Sequence, residues 1–389
     1  MLLSSCNTGG ANGNSTQQPL FAPAGGSPIT IAGGPGNVCI GDMNNDGKPD
    51  LVVVSGSEHT GNIIVLLNRA GKDVGQFQAA ASGAIRVPDN PGELALGDVN
   101  SDGNTDLAFV THDSYNVTML LGDGKGRLAL APNSSIVMKD GKHPHTHGLG
   151  MADLNGDGKP DLATVNNADN DISIAFGDGR GGFTPAPSSP FAVGPSPYPM
   201  ALGDVNNDGR VDIVATATAT GPARREQLPL SRALTLLVGD GHGGFQTSQV
   251  PLRTAEPWFV AVGDINGDRK ADLVVTHHEL SVLTVLLGNG AGRFTEIPGS
   301  PFDLGRNAFQ VALADVNHDG RLDVLTAAGN GVQILLGDGS GNFKDAPGSS
   351  FLTGKGTWRF ALGDMNGDSK IDVVTSSAES NAVSVLLGR

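Results

Sequence analysis

The sequence has little of what builds helices, disulfide scaffolds or membrane spans. Its 389 residues include two cysteines, 5% aromatic and 17% charged residues, against 57 glycines and 23 prolines. Two cysteines cannot form a disulfide framework, and abundant glycine and proline disfavour long helices. No apolar run approaches the roughly 20 residues that cross a bilayer. We therefore expect a turn-rich globular protein without a transmembrane segment.

Positive charge is also scarce. The chain carries 25 Lys and Arg against 40 Asp and Glu, a formal net charge of −15. Nucleic-acid binding is led by basic surface, because it depends on neutralising phosphates. We therefore expect no nucleic-acid partner, and the excess of carboxylates needs its own explanation.

One nine-residue pattern, Asp-x-Asn-x-Asp-Gly-x-x-Asp, accounts for much of the acidity. Five copies match it fully and two depart at the glycine; the first aspartates are Asp42, Asp98, Asp153, Asp204, Asp264, Asp315 and Asp364. Successive copies begin 49 to 60 residues apart. This period is typical of a four-stranded propeller blade rather than of a helical solenoid.

The segments between the acidic loops predict four short strands per repeat. Alternating apolar residues precede each loop ("ELALGD"), and apolar runs follow it ("DLVVV"). A second alternating run ("NIIVLL") leads to a glycine-rich turn and usually to Phe, with another apolar residue eight positions later. The sequence therefore predicts an all-β protein, a seven-bladed β-propeller of four-stranded antiparallel blades.

The two ends of the chain complement each other. The last repeat stops after its third strand, at "VSVLLGR", whereas Phe21 and Ile29 have the spacing of the missing fourth strand. We expect residues 20–389 to form the propeller, its ring closed by an N-terminal strand that completes the last blade and hides exposed sheet edges. Residues 1–19 are interpreted as a signal remnant and polar linker.

The acidic loops offer oxygen ligands at positions 1, 3, 5 and 9, which suit Ca²⁺. The alternative is that some are plain Asp/Asn/Gly turns. Up to seven Ca²⁺ ions are predicted, bound most weakly at the loops starting at Asp264 and Asp364, where Arg269 and Ser369 replace the position-6 glycine. The candidate metal ligands are Asp42, Asn44, Asp46, Asp50, Asp98, Asn100, Asp102, Asp106, Asp153, Asn155, Asp157, Asp161, Asp204, Asn206, Asp208, Asp212, Asp264, Asn266, Asp268, Asp272, Asp315, Asn317, Asp319, Asp323, Asp364, Asn366, Asp368 and Asp372.

Segments such as "GDMNNDGKPDLVVV" and "LLGDGSGNF" resemble the FG-GAP/VCBS repeat family, which includes the integrin α-subunit propeller. The resemblance covers nearly the whole chain from about residue 20 and implies a calcium-binding propeller. Members of that family serve as adhesion modules, lectin-like propellers and accessory domains of secreted polysaccharide-degrading enzymes. The resemblance thus leaves the ligand open.

The end opposite the acidic loops carries the variable residues. Six positions before the first loop aspartate, the repeats have Gly36, Gly92, His147, Tyr198, Trp258, Phe309 and Trp358. Amphipathic rings at a propeller mouth suit stacking on sugars; the alternative is packing between blades as core. We take His145, His147, Tyr198, Trp258, Phe309 and Trp358 as candidate ligand-binding residues and assign no catalytic residue.

Histidines are also concentrated at this predicted end. They are His59, His112, His143, His145, His147, His277 and His278. With Asp113, Glu58 or Glu279 nearby, they suggest a transition-metal or general-base site. The alternative is a set of solvated loop side chains. A further irregularity is an insertion at residues 220–233 that carries three arginines.

The function predicted from these features is an extracellular calcium-binding module for carbohydrate or a cell-surface ligand. Leu3-Ser4-Ser5-Cys6 resembles a bacterial lipobox, so a lipid anchor at Cys6 is expected on a monomeric cell-envelope protein. Millimolar calcium outside the cell favours this location. The alternatives are a secreted lyase-like or hydrolytic enzyme that uses the mouth histidines, and a structural scaffold for protein docking.

Overall fold

The computed structural model describes residues 19–57, 60–69, 76–88, 91–218, 231–277 and 279–389. In these ranges the chain is predominantly β-strand, with one three-residue 3-10 helix, Ala378–Ser380. Among the described residues, no helix is long and apolar enough to cross a bilayer. Cys6, Glu58, His59, His278 and most of the 220–233 insertion lie outside the described residues.

The strands follow the repeat in chain order. The first sixteen are β1 (Phe21–Pro23), β2 (Ile29–Thr30), β3 (Pro35–Gly41), β4 (Asp50–Ser57), β5 (Thr60–Asn68), β6 (Phe77–Ala79), β7 (Ile85–Pro88), β8 (Pro91–Gly97), β9 (Asp106–Thr111), β10 (Asn116–Gly122), β11 (Leu128–Val137), β12 (Thr146–Ala152), β13 (Asp161–Asn166), β14 (Asp171–Gly177), β15 (Phe183–Pro185) and β16 (Phe191–Ala192). The others are β17 (Met200–Gly203), β18 (Asp212–Ala215), β19 (Ala233–Gly239), β20 (Phe245–Pro251), β21 (Pro257–Gly263), β22 (Asp272–His277), β23 (Val282–Gly288), β24 (Phe294–Glu296), β25 (Phe302–Asp303), β26 (Val311–Ala314), β27 (Asp323–Ala327), β28 (Gly329–Gly337), β29 (Phe343–Asp345), β30 (Phe351–Gly363), β31 (Asp372–Ser377) and β32 (Ala382–Gly388).

Each repeat forms an antiparallel meander in which neighbours in sequence are neighbours in the sheet. The order is β8-β9-β10-β11 in the second repeat and β17-β18-β19-β20 in the fourth. In several repeats the fourth strand is split into two short pieces, such as β6 and β7 against β5. The long β30 pairs with both β28 and β31 and so joins two repeats in one nine-stranded sheet. The predicted all-β architecture of four-stranded antiparallel sheets is confirmed.

Apolar runs such as "DLVVV" arise because the second strand of a repeat is buried on both sides. Side chains alternate along a strand. Leu51 and Val53 of β4 therefore point into one core cluster, while Val52 and Val54 point into the next. Seven such clusters join consecutive repeats, and one of them joins the seventh repeat to the first. Each buried Val or Leu stabilises the packing by roughly 1.5–3 kcal/mol.

The N-terminal segment lies in the same sheet as the C-terminal strand. In the pairing of β1 with β32, Phe21 stands opposite Gly388, and β2 continues along the same strand. The backbone N–H of Arg389 donates to the carbonyl of Leu20 at 2.9 Å. Phe21 is buried edge-on against Phe351 at 5.5 Å between ring centroids.

The first strands of all seven repeats line one central cavity of about 510 Å³. Each of these strands runs into its acidic loop, as β3 ends at Gly41 just before Asp42. The start of each strand therefore lies at the end of the cavity that is opposite the acidic loops. This arrangement separates the acidic loops from the variable residues that precede them in sequence.

Candidate ligand-binding mouth and acidic loops

Four aromatic side chains and a histidine form a continuous arc at the start of the inner strands. The ring centroids of His147 and Tyr198 are 4.1 Å apart, and those of Tyr198 and Trp258 are 5.8 Å apart. Trp258 lies 5.1 Å from Phe309, which stacks on Trp358 at 5.3 Å with planes 9° apart. The arc borders a cavity of about 270 Å³, which we call the mouth. One repeat position thus brings together residues up to 211 positions apart.

Exposure divides the arc into two parts. Trp258 is only 9% exposed and belongs to a core cluster, against which the half-buried Tyr198 and Phe309 pack. Trp358 is 53% exposed. The core-packing alternative therefore describes Trp258, whereas Trp358 offers an open ring to a ligand.

A polar group that the sequence analysis missed lies beside the arc. A guanidinium nitrogen of Arg359 is 2.5 Å from a carboxylate oxygen of Glu93. The other carboxylate oxygen accepts a hydrogen bond from the Asn37 side chain at 2.8 Å. Arg359 also lies over the Phe259 ring, 4.6 Å from its centroid. All four residues stand one position after the aromatic position of their repeats. Their shared position in the repeat could therefore have identified this group from the sequence.

The phenol of Tyr198 is neutral at ordinary pH. Burial raises the pKa of Tyr198, and the Glu93 carboxylate raises it further, against a lowering by the Arg359 charge. A neutral phenol both donates and accepts hydrogen bonds. The mouth therefore combines aromatic faces, a phenol, an amide and a paired guanidinium and carboxylate.

Three of the predicted histidines meet at one edge of the mouth. The ring centroid of His112 lies 4.0 Å from that of His145 and 5.0 Å from that of His147. The centroids of His145 and His147 are 4.6 Å apart. The Nε2 atoms of His145 and His147 are 2.8 Å apart, and Nδ1 of His112 is 2.8 Å from a carboxylate oxygen of Asp113.

His277 does not join this group. Its ring is buried, with Nδ1 against the carbonyl of Ala255 and Nε2 against the hydroxyl of Thr284, both at 2.8 Å. Burial lowers the pKa of His277 to about 4, so the ring is neutral and serves packing. His143 is exposed and lies outside the three-histidine group. His277 therefore fits neither of the two alternatives drawn from the sequence, because it lies outside the three-histidine group and is buried instead of solvated.

The acidic loops share one hydrogen-bond pattern, shown here for the first. One oxygen of Asp42 accepts from the backbone N–H of Asp46 at 3.2 Å, and the other from Gly47 at 2.8 Å. The side-chain oxygen of Asn44 also accepts from the Asp46 N–H, at 2.9 Å. Side-chain oxygens that accept backbone N–H bonds in this way form tight Asx turns.

The aspartate at position 9 has a structural role that the sequence analysis did not identify. In the third loop Asp161 is fully buried, and its two oxygens accept the N–H groups of Leu154 and Gly177, each at 2.8 Å. It thereby joins its own loop to the end of the third strand. The other six repeats make the same pair of bonds, at Asp50, Asp106, Asp212, Asp272, Asp323 and Asp372.

The carboxylates of a loop act on one another electrostatically. Burial, and to a smaller extent the charges of Asp157 and Asp153, together raise the pKa of Asp161 to about 6, against the lowering effect of its two backbone N–H bonds. Asp157 is also paired with Lys159, 3.1 Å away. A basic residue at position 7 makes this pair in six loops; the second loop has Asn104 there.

The two loops without a position-6 glycine keep the same geometry. Arg269 and Ser369 both adopt φ of 65°, in the left-handed region, and their N–H groups donate to the first aspartate at 2.8 and 2.7 Å. A left-handed conformation costs a residue with a side chain about 1–2 kcal/mol. These two loops therefore keep the shape of the other five, with a strained backbone at position 6.

Comparisons with solved structures agree with the fold. A lectin from Agrocybe aegerita, described by its specific recognition of non-reducing terminal N-acetylglucosamine, aligns with a TM-score of 0.55 and 20% identity, over 81% of this chain and 79% of its own. A protein from Lactobacillus plantarum aligns with a TM-score of 0.57 and 13% identity, over 80% of this chain and 83% of its own. At these identities the likeness shows the fold alone.

No curated protein matches the chain significantly. The FG-GAP-like repeat matches at residues 42–109, 98–164, 153–215, 272–326 and 317–375, which together cover more than half of the chain. These matches coincide with the acidic loops and the strands that flank them, and they confirm the resemblance found in the sequence. The chain belongs to the FG-GAP-like repeat family of β-propellers.

Proposed function

We propose that the protein is an extracellular β-propeller that binds carbohydrate at its mouth. The observation that carries the proposal is the open face of Trp358, stacked on Phe309 and next to a polar group. Sugar rings present C–H faces and hydroxyl edges, so their sites combine an aromatic surface with a few placed hydrogen-bonding groups.

The polar group beside Trp358 suits hydroxyl recognition. The Glu93 carboxylate accepts hydrogen bonds, and the Arg359 guanidinium has five donor positions, of which the ion pair uses few. Their side chains are 25% and 16% exposed, so a ligand in the mouth has access to both. Hydrogen bonds to charged groups contribute about 1.5–3 kcal/mol each. These groups would fix the orientation of a sugar on the Trp358 ring.

The test is a glycan array probed with calcium-loaded protein, followed by titration of the best glycan. The lectin neighbour in Agrocybe aegerita is reason to include glycans with terminal N-acetylglucosamine. Trp358→Ala is expected to weaken binding tenfold or more, because the exposed ring supplies the stacking surface. Trp258→Ala is less suitable, since Trp258 is part of the core.

Leu352→Ala is the matched control. Leu352 is 71% exposed on β30 and does not line the mouth, so its truncation removes exposed apolar surface without removing a mouth residue. Glycan binding that is unchanged in Trp358→Ala, or equally weakened in both variants, would contradict carbohydrate binding at the mouth.

The proposal includes calcium at the acidic loops. In the first loop Asp42, Asn44, Asp46 and Asp50 would hold the ion, and equivalent residues would do so in the others. Oxygen-only donors with three interacting carboxylates fit Ca²⁺, and bound calcium would supply the countercharge. It would have to draw the position-5 carboxylate from its basic partner, which in the first loop is Lys48 at 3.6 Å from Asp46. Millimolar calcium outside the cell supports an extracellular site of action, with Cys6 as a proposed lipid anchor.

The same proposal includes seven blades in a closed ring. Its support is the core cluster between the seventh and first repeats, the pairing of β1 with β32, and a hydrogen bond of 2.8 Å from the Asn68 side chain to the carbonyl of Met365. A closed ring leaves only short, protected sheet edges. A rigid ring would hold the seven mouth positions at fixed spacing, as ligand recognition requires.

A further inference from the structure

The three histidines at the edge of the mouth are built on two adjoining segments. His112 follows β9, and its carbonyl accepts the backbone N–H of Thr146 at 2.9 Å. The Thr146 hydroxyl donates to the carbonyl of Ser114 at 2.6 Å. His145 and His147 flank Thr146, and alternate residues of an extended strand point to the same side. The backbone therefore fixes all three rings on one side of this junction.

The rings are arranged around a common point. One ring nitrogen from each lies within 4.8 Å of those of the others. Within the described ranges, no other group of three His, Cys, Asp or Glu side chains comes so close. Their planes cross at 69° to 80°, so the rings meet edge to face instead of stacking. All three are half-buried, and His112 and His147 line the mouth.

A carboxylate orients one of the rings. Asp113 accepts from Nδ1 of His112 at 2.8 Å, which leaves Nε2 of His112 as the nitrogen with a free lone pair. Histidines that bind metals commonly donate their second ring N–H to such a carboxylate. The Nε2 atoms of His145 and His147 must separate from 2.8 Å to about 3.3 Å to share a tetrahedral ion.

We propose that His112, His145 and His147 bind one Zn²⁺ ion. Three imidazoles suit a borderline-soft transition metal and do not suit calcium, which takes oxygen ligands. Three protein ligands leave a fourth tetrahedral position open, and here it adjoins the mouth. The site does not depend on carbohydrate binding, so either proposal can fail without the other.

The test is a zinc titration of the full chain, free of any histidine tag, against a chromogenic chelator with calcium present to saturate the acidic loops. One Zn²⁺ per chain is expected, and Co²⁺ is expected to give the visible absorption of a tetrahedral site. His145→Ala is expected to weaken binding by on the order of 100-fold or more, because even the outer hydrogen-bond partners of zinc ligands contribute about 10–100-fold.

His143→Ala is the matched control, since His143 is exposed in the same connection but outside the group. His112→Asn, on the other segment, is expected to weaken binding as strongly as His145→Ala, with melting curves checking that both variants fold. The proposal is overturned if no tight site is found, if His112→Asn and His145→Ala leave it intact, or if His143→Ala weakens it equally.

Discussion

The two ends of the inner strands use the same repeat in opposite ways. At the acidic end, seven loops repeat one hydrogen-bond pattern, including a buried aspartate that accepts two backbone N–H groups in each repeat. At the mouth, the equivalent positions hold glycine, histidine, tyrosine, tryptophan or phenylalanine. Repetition maintains the scaffold, and divergence at one register creates a site that no single repeat contains.

Calcium removal is expected to have the largest effect on stability, and to have it through the acidic loops. Each occupied loop adds about 2.7 kcal/mol when free calcium is 100 times its dissociation constant, so chelation should lower the melting temperature clearly. The second loop has no competing basic residue and should bind most tightly. The loop at Asp264 should bind weakly, because Lys270 lies 2.9 Å from Asp268 and Arg269 adds positive charge.

Calorimetric calcium titrations of Asp98→Asn and Asp264→Asn check this ranking. The first variant should lose a tight site and the second a weak one. A melting curve that does not change on chelation would contradict calcium binding altogether, and would leave the acidic loops as turns held by their own hydrogen bonds.

The buried aspartates should matter even without calcium. In chelator, Asp161→Asn is expected to lower the free energy of unfolding by about 3 kcal/mol, because the new amide cannot accept both backbone N–H groups in the same way and leaves a buried donor unpaired. Urea unfolding measures the change. The control is Asp157→Asn in the same loop, whose exposed ion pair with Lys159 is worth less than about 1 kcal/mol. Equal effects of the two substitutions would show that position 9 has no special structural role.

His277 shows that the mouth end also contains purely structural polar residues. Its folded-state pKa of about 4 lies below the ordinary 6.5, so the unfolded chain takes up a proton first as the pH falls. The stabilisation that the neutral ring provides is present above pH 6.5 and is lost as the pH falls towards 4, by about 3 kcal/mol at pH 4.

His277→Gln isolates this contribution, because the other titrating groups are common to both proteins. Among them are the position-9 aspartates, whose raised pKa values act in the opposite direction. The stability difference between wild type and variant, measured by urea unfolding from pH 7 to pH 4, should shrink as the pH falls. A constant difference would contradict the assignment.

The features that can be predicted from the sequence alone are those that are local and repeated. Strand positions, turns and acidic loops follow from period-two alternation and from Asp, Asn and Gly at fixed offsets, and these signals occur within a few residues. The shared position six residues before each loop also predicted that Tyr198, Trp258, Phe309 and Trp358 lie together. In a propeller, residues at the same position of neighbouring repeats lie close to one another.

Which of these side chains are exposed to a ligand depends on the folded arrangement of the repeats. It buries Trp258 and exposes Trp358, pairs Glu93 with Arg359 across 266 positions, and brings His112 to His145 and His147 while burying His277 elsewhere. These outcomes depend on contacts between repeats and on side-chain directions in the mouth. The alternation of apolar residues along one strand carries no information about these contacts. It specifies the side of the strand to which a side chain points, but not the residue from another repeat that lies there.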